Sequence, residues 1–475
     1  MRVLAIDQGT SATKAIVVVD GIVVSTAESA CAPTITADGG VEVDPELLWR
    51  TVVDAGRSAL EQAGAHAPDA IGFANQGETI LAWDRATGRP NSTAIVWQDR
   101  RSTTVCDRLR ADGWAERLAA ITGLELDPYF VAPKVAWLRE RVDKNAAITT
   151  SDVWLLNRLC GSFATDAATA SRTLLLDLDS VSWSEEACGA FGIDPDSLPA
   201  IVANAGPIGE TTAFTDSPVP ITGLCVDQQA ALFAESCSAA GEAKCTYGTG
   251  AFLLASTGHT PTRSTNGLVG CVAWRVGDET IWCLDGQVYT VGAAVTWLRE
   301  VGLIDGPADL DRLGASVGGS NGVTFVPGLA GLGAPFWAPN ARGAITGLSL
   351  GTTRAHLVRA VIEGIAAQVA WLAKAAGADL GSPLTMLRVD GGLTRSTVLL
   401  QTQADLLQAP IEVYPSPNAT ALGVAAFAQL GAGAGRESAA WEPAMIVEPK
   451  ITADEAEHRL ASWRAVTEAT LGIDG

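Results

Sequence analysis

Three short polar stretches interrupt apolar runs at places where chemistry can be done. In DQGTSATK (7–14) a carboxylate precedes Gly-Thr-Ser and then Thr and Lys, just after the apolar residues 3–6. Backbone N–H groups and hydroxyls in such a corner can hold phosphate oxygens, and Asp7 can hold Mg²⁺, usually through water. TYGTGAF (246–252) repeats that layout in the second half of the chain. RVDGGLTRS (388–396) places Gly391 and Gly392 after an acidic strand end and before a helix, where a nucleotide can approach bare backbone. Each stretch also reads as an ordinary turn, because Asp and Gly are turn residues. Two corners, one per half and facing a common cleft, would clamp the phosphates of one nucleotide from both sides.

Two further stretches bear on an acceptor. In VDQQAALF (226–233), Asp227 stands before a helix, as an N-cap or as a general base that takes the proton of an attacking hydroxyl. In FANQGETILAWD (73–84), Gly77 sits between Gln76 and Glu78 where the apolar run turns polar. A glycine there marks space needed by another backbone, by a turn at positive φ, or by a ligand. Other chemistries lack their signatures. No GxxxxGK[ST] is present, which excludes a P-loop, and no GxGxxG follows the first strand, which argues against a dinucleotide site. No GxSxG argues against an α/β-hydrolase, and His66, His259, His356 and His458 are too scattered to suggest zinc.

The elements that must position these residues follow from the apolar patterning. Residues 3–6 and 13–19 read as strands, Asp20-Gly21 as a hairpin turn and IVVSTA as a third strand, so the chain opens as an antiparallel meander. A helix is predicted from Pro45, capped by Asp44, to about residue 63. A strand ending at Asn75-Gln76, a hairpin through DRATGRP, the strand AIVWQD and helical patterns over 101–141 follow. PITGLCVDQQAALFAE reads as strand, loop and helix. KCTYGTG and AFLLAST then restart the strand–turn–strand layout, which predicts a second domain echoing the first, with domains at 1–236 and 237–475. There, GAAVTWLRE, TRAHLVRAVIEGIAAQVAWLAKAA, a segment from about Ser396, NATALGVAAFAQLG and ADEAEHRLASWRAVTEATL are predicted helices, and MLRVDGG and IEVYPS predicted strands. The alternation indicates an α/β protein with a mostly parallel sheet in each half. Ligands then bind beyond the carboxyl ends of the strands, where Asp7, Asp227, Thr249 and Gly391-Gly392 fall.

Composition narrows the partners. With 475 residues, 48% of them hydrophobic, the chain has core enough for two to three domains. A net charge of −21 repels nucleic acid and anionic membrane, so phosphates must be held at local cationic or N–H sites. Nine cysteines without a CxxC pair suggest a reducing compartment and no disulfides, with Cys225 and Cys245 as core packing. Asp7 follows too short an apolar run for a signal peptide, and no segment approaches the length of a membrane span. The expectation is a cytoplasmic protein with a small-molecule partner, no nucleic acid and no membrane.

AIDQGT, NQGET, AIVWQDRR, GLELDPYF, ASRT, VDQQAALF, TYGTG, GLGAPFW, RVDGG and TALG occur together and in this order. In this the chain resembles the FGGY carbohydrate kinases, most closely those that phosphorylate glycerol, over essentially its whole length. The resemblance implies two ribonuclease-H-like (actin-like ATPase) domains with an interdomain cleft. It also implies MgATP-dependent phosphorylation of a hydroxyl of a small polyol or sugar. It makes Asp227 the catalytic base and places Asp7 near Mg²⁺ and the phosphates. Thr10, Ser11 and Lys14 match the first phosphate corner, Lys14 standing where arginine is usual, which keeps the charge but loses the bidentate fork. Thr249, Gly250, Gly292, Gly391 and Gly392 match nucleotide contacts of the second domain. Thr296 and Ser396 replace an expected glutamine and asparagine, and Asn418 replaces a glutamate without evident reason.

On the acceptor side the family's glycerol-binding pattern NQRET becomes NQGET, so Glu78 is kept and Gly77 replaces an arginine. Trp97, Tyr129, Asp227, Gln228 and Phe252 fall on matching motifs, with rings for the C–H faces of a polyol and carboxylates for its hydroxyls. Losing a guanidinium removes up to two charge-assisted hydrogen bonds, about 1.5–3 kcal/mol each. It also opens volume, which tilts the reading toward a C4 or C5 polyol or ketose. The alternative is glycerol itself, with water or a nearby side chain replacing the arginine. Two readings from other classes, an actin-like ATPase without an acceptor and a non-catalytic sugar sensor, are opposed by the intact acceptor residues and by the presence of both Asp7 and Asp227. Relatives are often dimers or tetramers, so a homodimer or homotetramer is expected, although no interface signature is visible. ETTAFTDSPVPITG is too short, and lacks the basic Gly-rich loop, for the sugar-phosphate control known in some members.

Overall fold

The opening meander folds as its patterning predicts. In the computed structural model, which describes residues 1–435 and 441–472, β1 (Arg2–Gln8), β2 (Ala12–Val19) and β3 (Ile22–Ala30) pair antiparallel. The turn between β2 and β3 holds Asp20 and Gly21 at φ of 49° and 80°, the left-handed pair that a two-residue hairpin needs. Asp44 caps α1 (Pro45–Gln62) by accepting from the Glu46 N–H, and the helix buries Leu48, Val52, Ala55 and Ala59. The chain returns as β4 (Ala70–Asn75), parallel to β1. After a helical region it adds β5 (Ala205–Thr211) and β6 (Val219–Val226), the latter parallel to β4, and runs into α2 (Asp227–Ala234).

The second half repeats this plan. It contains β7 (Ala243–Tyr247), β8 (Ala251–Gly258), β9 (Val269–Val276), β10 (Glu279–Val288) and α3 (Gly292–Glu300). These are followed by α4 (Arg354–Leu380), β11 (Leu387–Asp390), α5 (Thr397–Leu407), β12 (Ile411–Val413), α6 (Ala419–Gly431), β13 (Met445–Val447) and α7 (Ala453–Leu471). The strand order is β3-β2-β1-β4-β6 in the first half and β10-β8-β7-β11-β12 in the second. In both, three strands form an antiparallel meander and two more join in parallel. The echo between DQGT and TYGTG is therefore topological, because β1 and β7 hold the same place in the order.

Several details differ from the sequence reading. The sheet is mixed rather than mostly parallel, because strands joined by tight turns must run antiparallel and only helix crossovers return parallel. It is also one sheet: β5 meets β9 through the single pair Ala205–Val276, which joins the two halves. Of AIVWQD only Ala94–Ile95 is strand, and no loop separates β6 from α2. α4, at 27 residues, is long and apolar enough to cross a membrane by length and composition, which corrects the reading that no segment is. Its Val358, Val361, Ile365, Val369 and Leu372 are buried in the second core. α6 packs against β1, β4 and β6 of the first half. Added Cβ atoms at Gly72 and Gly223 would stand 2.4 Å from the Val424 carbonyl oxygen and 2.5 Å from the Ala428 nitrogen, so the helix lies directly on the strands.

Candidate active site

Two cavities meet at the turn between β7 and β8. The smaller, about 180 Å³, gathers Gly77, Glu78, Trp97, Tyr129, Asp227, Gln228 and Phe252, and is reached by Thr10, Ser11 and Gly250. The larger, about 960 Å³, takes in Gly292, Thr296, Gly392 and Ser396. Thr249 lines both. Three predicted residues line neither: Asp7, Lys14 and Gly391. The Lys14 ammonium sits 3.5 Å from the Pro417 carbonyl, and the residue stands opposite Asp7 in the ladder. Gly391 shapes the site instead, since its φ is 94° and a Cβ there would stand 2.4 Å from the Tyr247 carbonyl oxygen.

The two polar corners have one design. Gly9 N–H donates to the Ala12 carbonyl at 3.0 Å and Gly248 N–H to the Gly250 carbonyl at 2.9 Å, closing each turn. The Gly292 and Ala293 N–H groups of α3 donate to the carbonyls of Gly248 and Thr249, which fixes the second turn to the helix. Ser396 borders the larger cavity, but its hydroxyl is committed: it caps α5 by accepting from the Leu399 N–H and donates to Asp311. Asn418 stands at the start of α6 without a side-chain capping bond.

On the acceptor side, Trp97 meets Tyr129 and Phe252 edge-on at 5.8 and 5.9 Å between ring centroids. Its indole N–H donates to Thr10 Oγ1 at 2.8 Å, tying the aromatic wall to the first phosphate corner. The turn alternative for Gly77 does not hold, because the positive φ, 55°, is at Glu78. A Cβ at 77 would press on Val226 Cγ2 at 3.1 Å, and residue 77 itself lines the cavity. The left-handed Glu78 costs about 1–2 kcal/mol and accompanies a carboxylate directed into the site.

That carboxylate is held by an arginine that no reading of the sequence assigned. Arg172 Nε donates to Glu78 Oε1 at 2.6 Å, and Arg172 Nη1 lies 2.6 Å from Asp285 Oδ2. Glu78, Arg172 and Asp285 are 3%, 3% and 2% exposed, and all line the smaller cavity. Burial works against the charge of Arg172, but Glu78 and Asp285 outweigh it and hold the guanidinium well above its ordinary range. Burial raises the pKa of Glu78, with Arg172 pulling it back. ASRT marked the arginine as part of a motif. Asp285 left a fainter signal, polar residues at alternate positions of the apolar strand IWCLDGQVYT.

Asp227 is the first residue of α2, not its cap, since Val226 occupies that position. Its Oδ1 accepts from the Gln228 N–H at 2.7 Å. Burial, then the negative charges of Asp7 and Glu78, push its pKa up to about 7, against the pull of Lys244. A carboxylate so placed can take a proton near neutral pH. Lys244, wholly buried on β7 and missed in the sequence, donates to Gln228 Oε1 at 2.6 Å and Thr246 Oγ1 at 2.7 Å. Asp7 lies opposite Lys14 in the β1–β2 ladder, and burial pushes it up to about 6, Lys14 pulling it down and Asp390 pushing it further up. All nine cysteines are free thiols, with Cys225 and Cys245 buried.

Paired corners and a nucleotide-sized cavity beside a small polar pocket are what a phosphoryl-transfer enzyme of this fold requires. The chain belongs to the FGGY family of carbohydrate kinases: residues 2–234 match the family's N-terminal domain and residues 243–432 its C-terminal domain. It is therefore a phosphotransferase with an alcohol group as acceptor, on a two-domain actin-like ATPase fold. It is 43% identical to the glycerol kinase of Thermus brockianus and 43% identical to that of Aromatoleum aromaticum, over 99% of this chain and 98% of each relative. The crystal structure of Plasmodium falciparum glycerol kinase with ADP superposes with a TM-score of 0.91 at 31% identity, covering 99% of this chain and 98% of that one. The structure of a xyloylose kinase from Brucella ovis superposes with a TM-score of 0.88 at 24% identity over the whole of both chains, a likeness of fold alone.

Proposed function

We propose that this kinase transfers the γ-phosphoryl group of ATP to a terminal hydroxyl of a small polyol, with glycerol as its acceptor. The observation that carries this reading is Arg172, which lines the pocket and bridges Glu78 and Asp285. The preference for a longer acceptor assumed that Gly77 left the pocket without a guanidinium, and Arg172 supplies one from another segment. The full-length similarity to enzymes named glycerol kinase points the same way. The room beside Gly77 favours a second reading, a tetritol, pentitol or ketose.

In this reading ATP occupies the larger cavity, with Gly292, Thr296 and Gly392 around it and its phosphates against Thr10, Ser11 and Thr249. Asp7 suits Mg²⁺: it is half-buried at the end of β1 and feels the charge of Asp390, whose Oδ1 is buried without a hydrogen-bond partner among the described residues. Among the described residues no three His, Cys, Asp or Glu side chains would hold a metal unaided, and Mg²⁺ takes one or two carboxylates plus phosphates and water. When bound, the ion would neutralise charge on the phosphate oxygens. The chain's own part is positioning. Trp97, Tyr129 and Phe252 pack on the carbon chain, Glu78 and Arg172 orient hydroxyls, and Asp227 takes the proton of the attacking one. Closure of the cleft excludes water and limits ATP hydrolysis. A cytoplasmic location goes with this use of ATP.

The test is ADP release from MgATP with glycerol, C4 and C5 alditols and ketoses at low and high concentration. Glycerol turning over best at low concentration supports the first reading, and a longer acceptor winning there supports the second. ADP release that ignores every alcohol would overturn both. In the same assay kcat/KM for glycerol is expected to fall as pH drops through about 7, because protonated Asp227 accepts no proton. A limb near pH 4 would remove Asp227 from the role of base. Gly77→Ala is expected to press on Val226 and to lower activity on tetritols several-fold more than on glycerol. Equal losses would show that the space at residue 77 does not select acceptor length.

A further inference from the structure

Asp285 is more than the second counter-ion of Arg172. Its Oδ2 is gripped from two sides, by Arg172 Nη1 at 2.6 Å and by Gln287 Nε2, which donates at 2.8 Å. Its Oδ1 is buried and has no hydrogen-bond partner among the described residues. A carboxylate oxygen shut away from water without a donor is costly, so such an atom in a folded protein is normally met by water or ligand. The smaller cavity supplies the place, since Asp285 lines it together with Gly77, Glu78 and Arg172. The ligand must bring a donor. Arg172 already serves both Glu78 and Asp285, so a neutral hydroxyl meets the remaining need without a second cation.

We propose that Asp285 is a specificity-determining residue whose Oδ1 accepts a hydrogen bond from a hydroxyl of the acceptor that is not phosphorylated. The inference rests on the polyol-kinase reading above. Arg172 and Gln287 are its positioning partners: by holding Oδ2 they fix the direction in which Oδ1 points. Gly77 lines the same cavity and puts no side chain into it.

Asp285→Asn is expected to raise KM for glycerol about 10- to 100-fold, with kcat and KM for ATP changed less than about threefold. Loosening of Arg172 alone would also weaken acceptor binding, so the deciding measurement pairs the variant with ligands that lack one hydroxyl. Propane-1,2-diol and propane-1,3-diol are compared with glycerol in wild type and variant, read as competitive inhibition constants. One of the two diols lacks the hydroxyl met by Asp285, and for it the penalty of the substitution is expected to shrink below about threefold. An equal penalty for glycerol and both diols would overturn the proposal and leave Asp285 as a counter-ion only. So would an unchanged KM for glycerol. The ADP-induced rise in melting temperature checks that the variant is folded. If it is not, Asp285→Glu, which keeps the charge but displaces the oxygen, must show the same ligand-dependent penalty. Wild-type protein that turns over no polyol would overturn the proposed function itself, and this shows before any variant is made.

Discussion

Asp227→Asn is expected to lower kcat about 10²–10⁴-fold while leaving KM for ATP nearly unchanged. The substitution keeps the shape of the side chain and an oxygen to accept the Gln228 N–H, so geometry at the start of α2 is preserved. What it removes is the base. A variant retaining more than a tenth of wild-type kcat would remove Asp227 from that role. The same variant carries an opposite signature in stability. Asp227 has a folded-state pKa raised to about 7, so its protonated form is favoured on folding. Its stabilising contribution is full below the ordinary carboxylate range near 4 and is lost as pH rises through about 7. Asparagine has no proton to lose and no charge to set against Asp7 and Glu78. Melting temperatures of the two proteins should therefore lie close together at pH 4–5, and the variant should melt higher at pH 8. An inactive variant that is also less stable at pH 8 would point to misfolding instead.

Arg172→Met is expected to cost about 3–5 kcal/mol of stability and to raise KM for the acceptor sharply. The reason is asymmetry. Glu78 and Asp285 are both buried, and without the guanidinium each is left uncompensated. Chemical denaturation of the single variant tests this, and a loss below about 1 kcal/mol would mean that other groups already neutralise the pair. The triple variant Arg172→Met, Glu78→Gln, Asp285→Asn removes all three charges together. It should recover much of the lost stability, since neutral replacement of a buried ion network is often tolerated. It should not recover acceptor binding. Recovery of both would assign the triad to folding alone.

The tertiary structure shows why the arginine was illegible. Arg172 lies 94 residues from Glu78 in the chain, and Asp285 lies in the stretch that matches the family's C-terminal domain. Only β10, brought beside β8 in the second meander, sets Asp285 against a side chain from the helical region of the first half. Local pattern carries no information on such a meeting. Gly77 shows the converse. The sequence registered a departure that opens room for a ligand, and the cavity is there, but whether its charge is replaced depends on a residue far away in the chain. Lys14 shows a third case. Its place in DQGTSATK suggested a phosphate contact, and what the fold adds is a neighbour far along the chain: its ammonium lies 3.5 Å from the Pro417 carbonyl while the residue stands opposite Asp7 in the ladder.

By itself the sequence determined what short-range physics controls. The I′ turn at Asp20-Gly21, the Asp44 cap on α1, the bounds of α3 and α7, and the two glycine–threonine corners follow from turn chemistry, capping and apolar period. The order of its motifs also carried the family. Only the tertiary structure decided that the two halves share one mixed sheet, that α6 lies on the strands of the first half, and that three charges separated in the chain close on one pocket. The physical reason is the range of the forces involved. Backbone conformation is set by neighbours a few residues apart, whereas strand neighbours and buried ion pairs form wherever folding brings distant segments together, and burial decides how strongly they act.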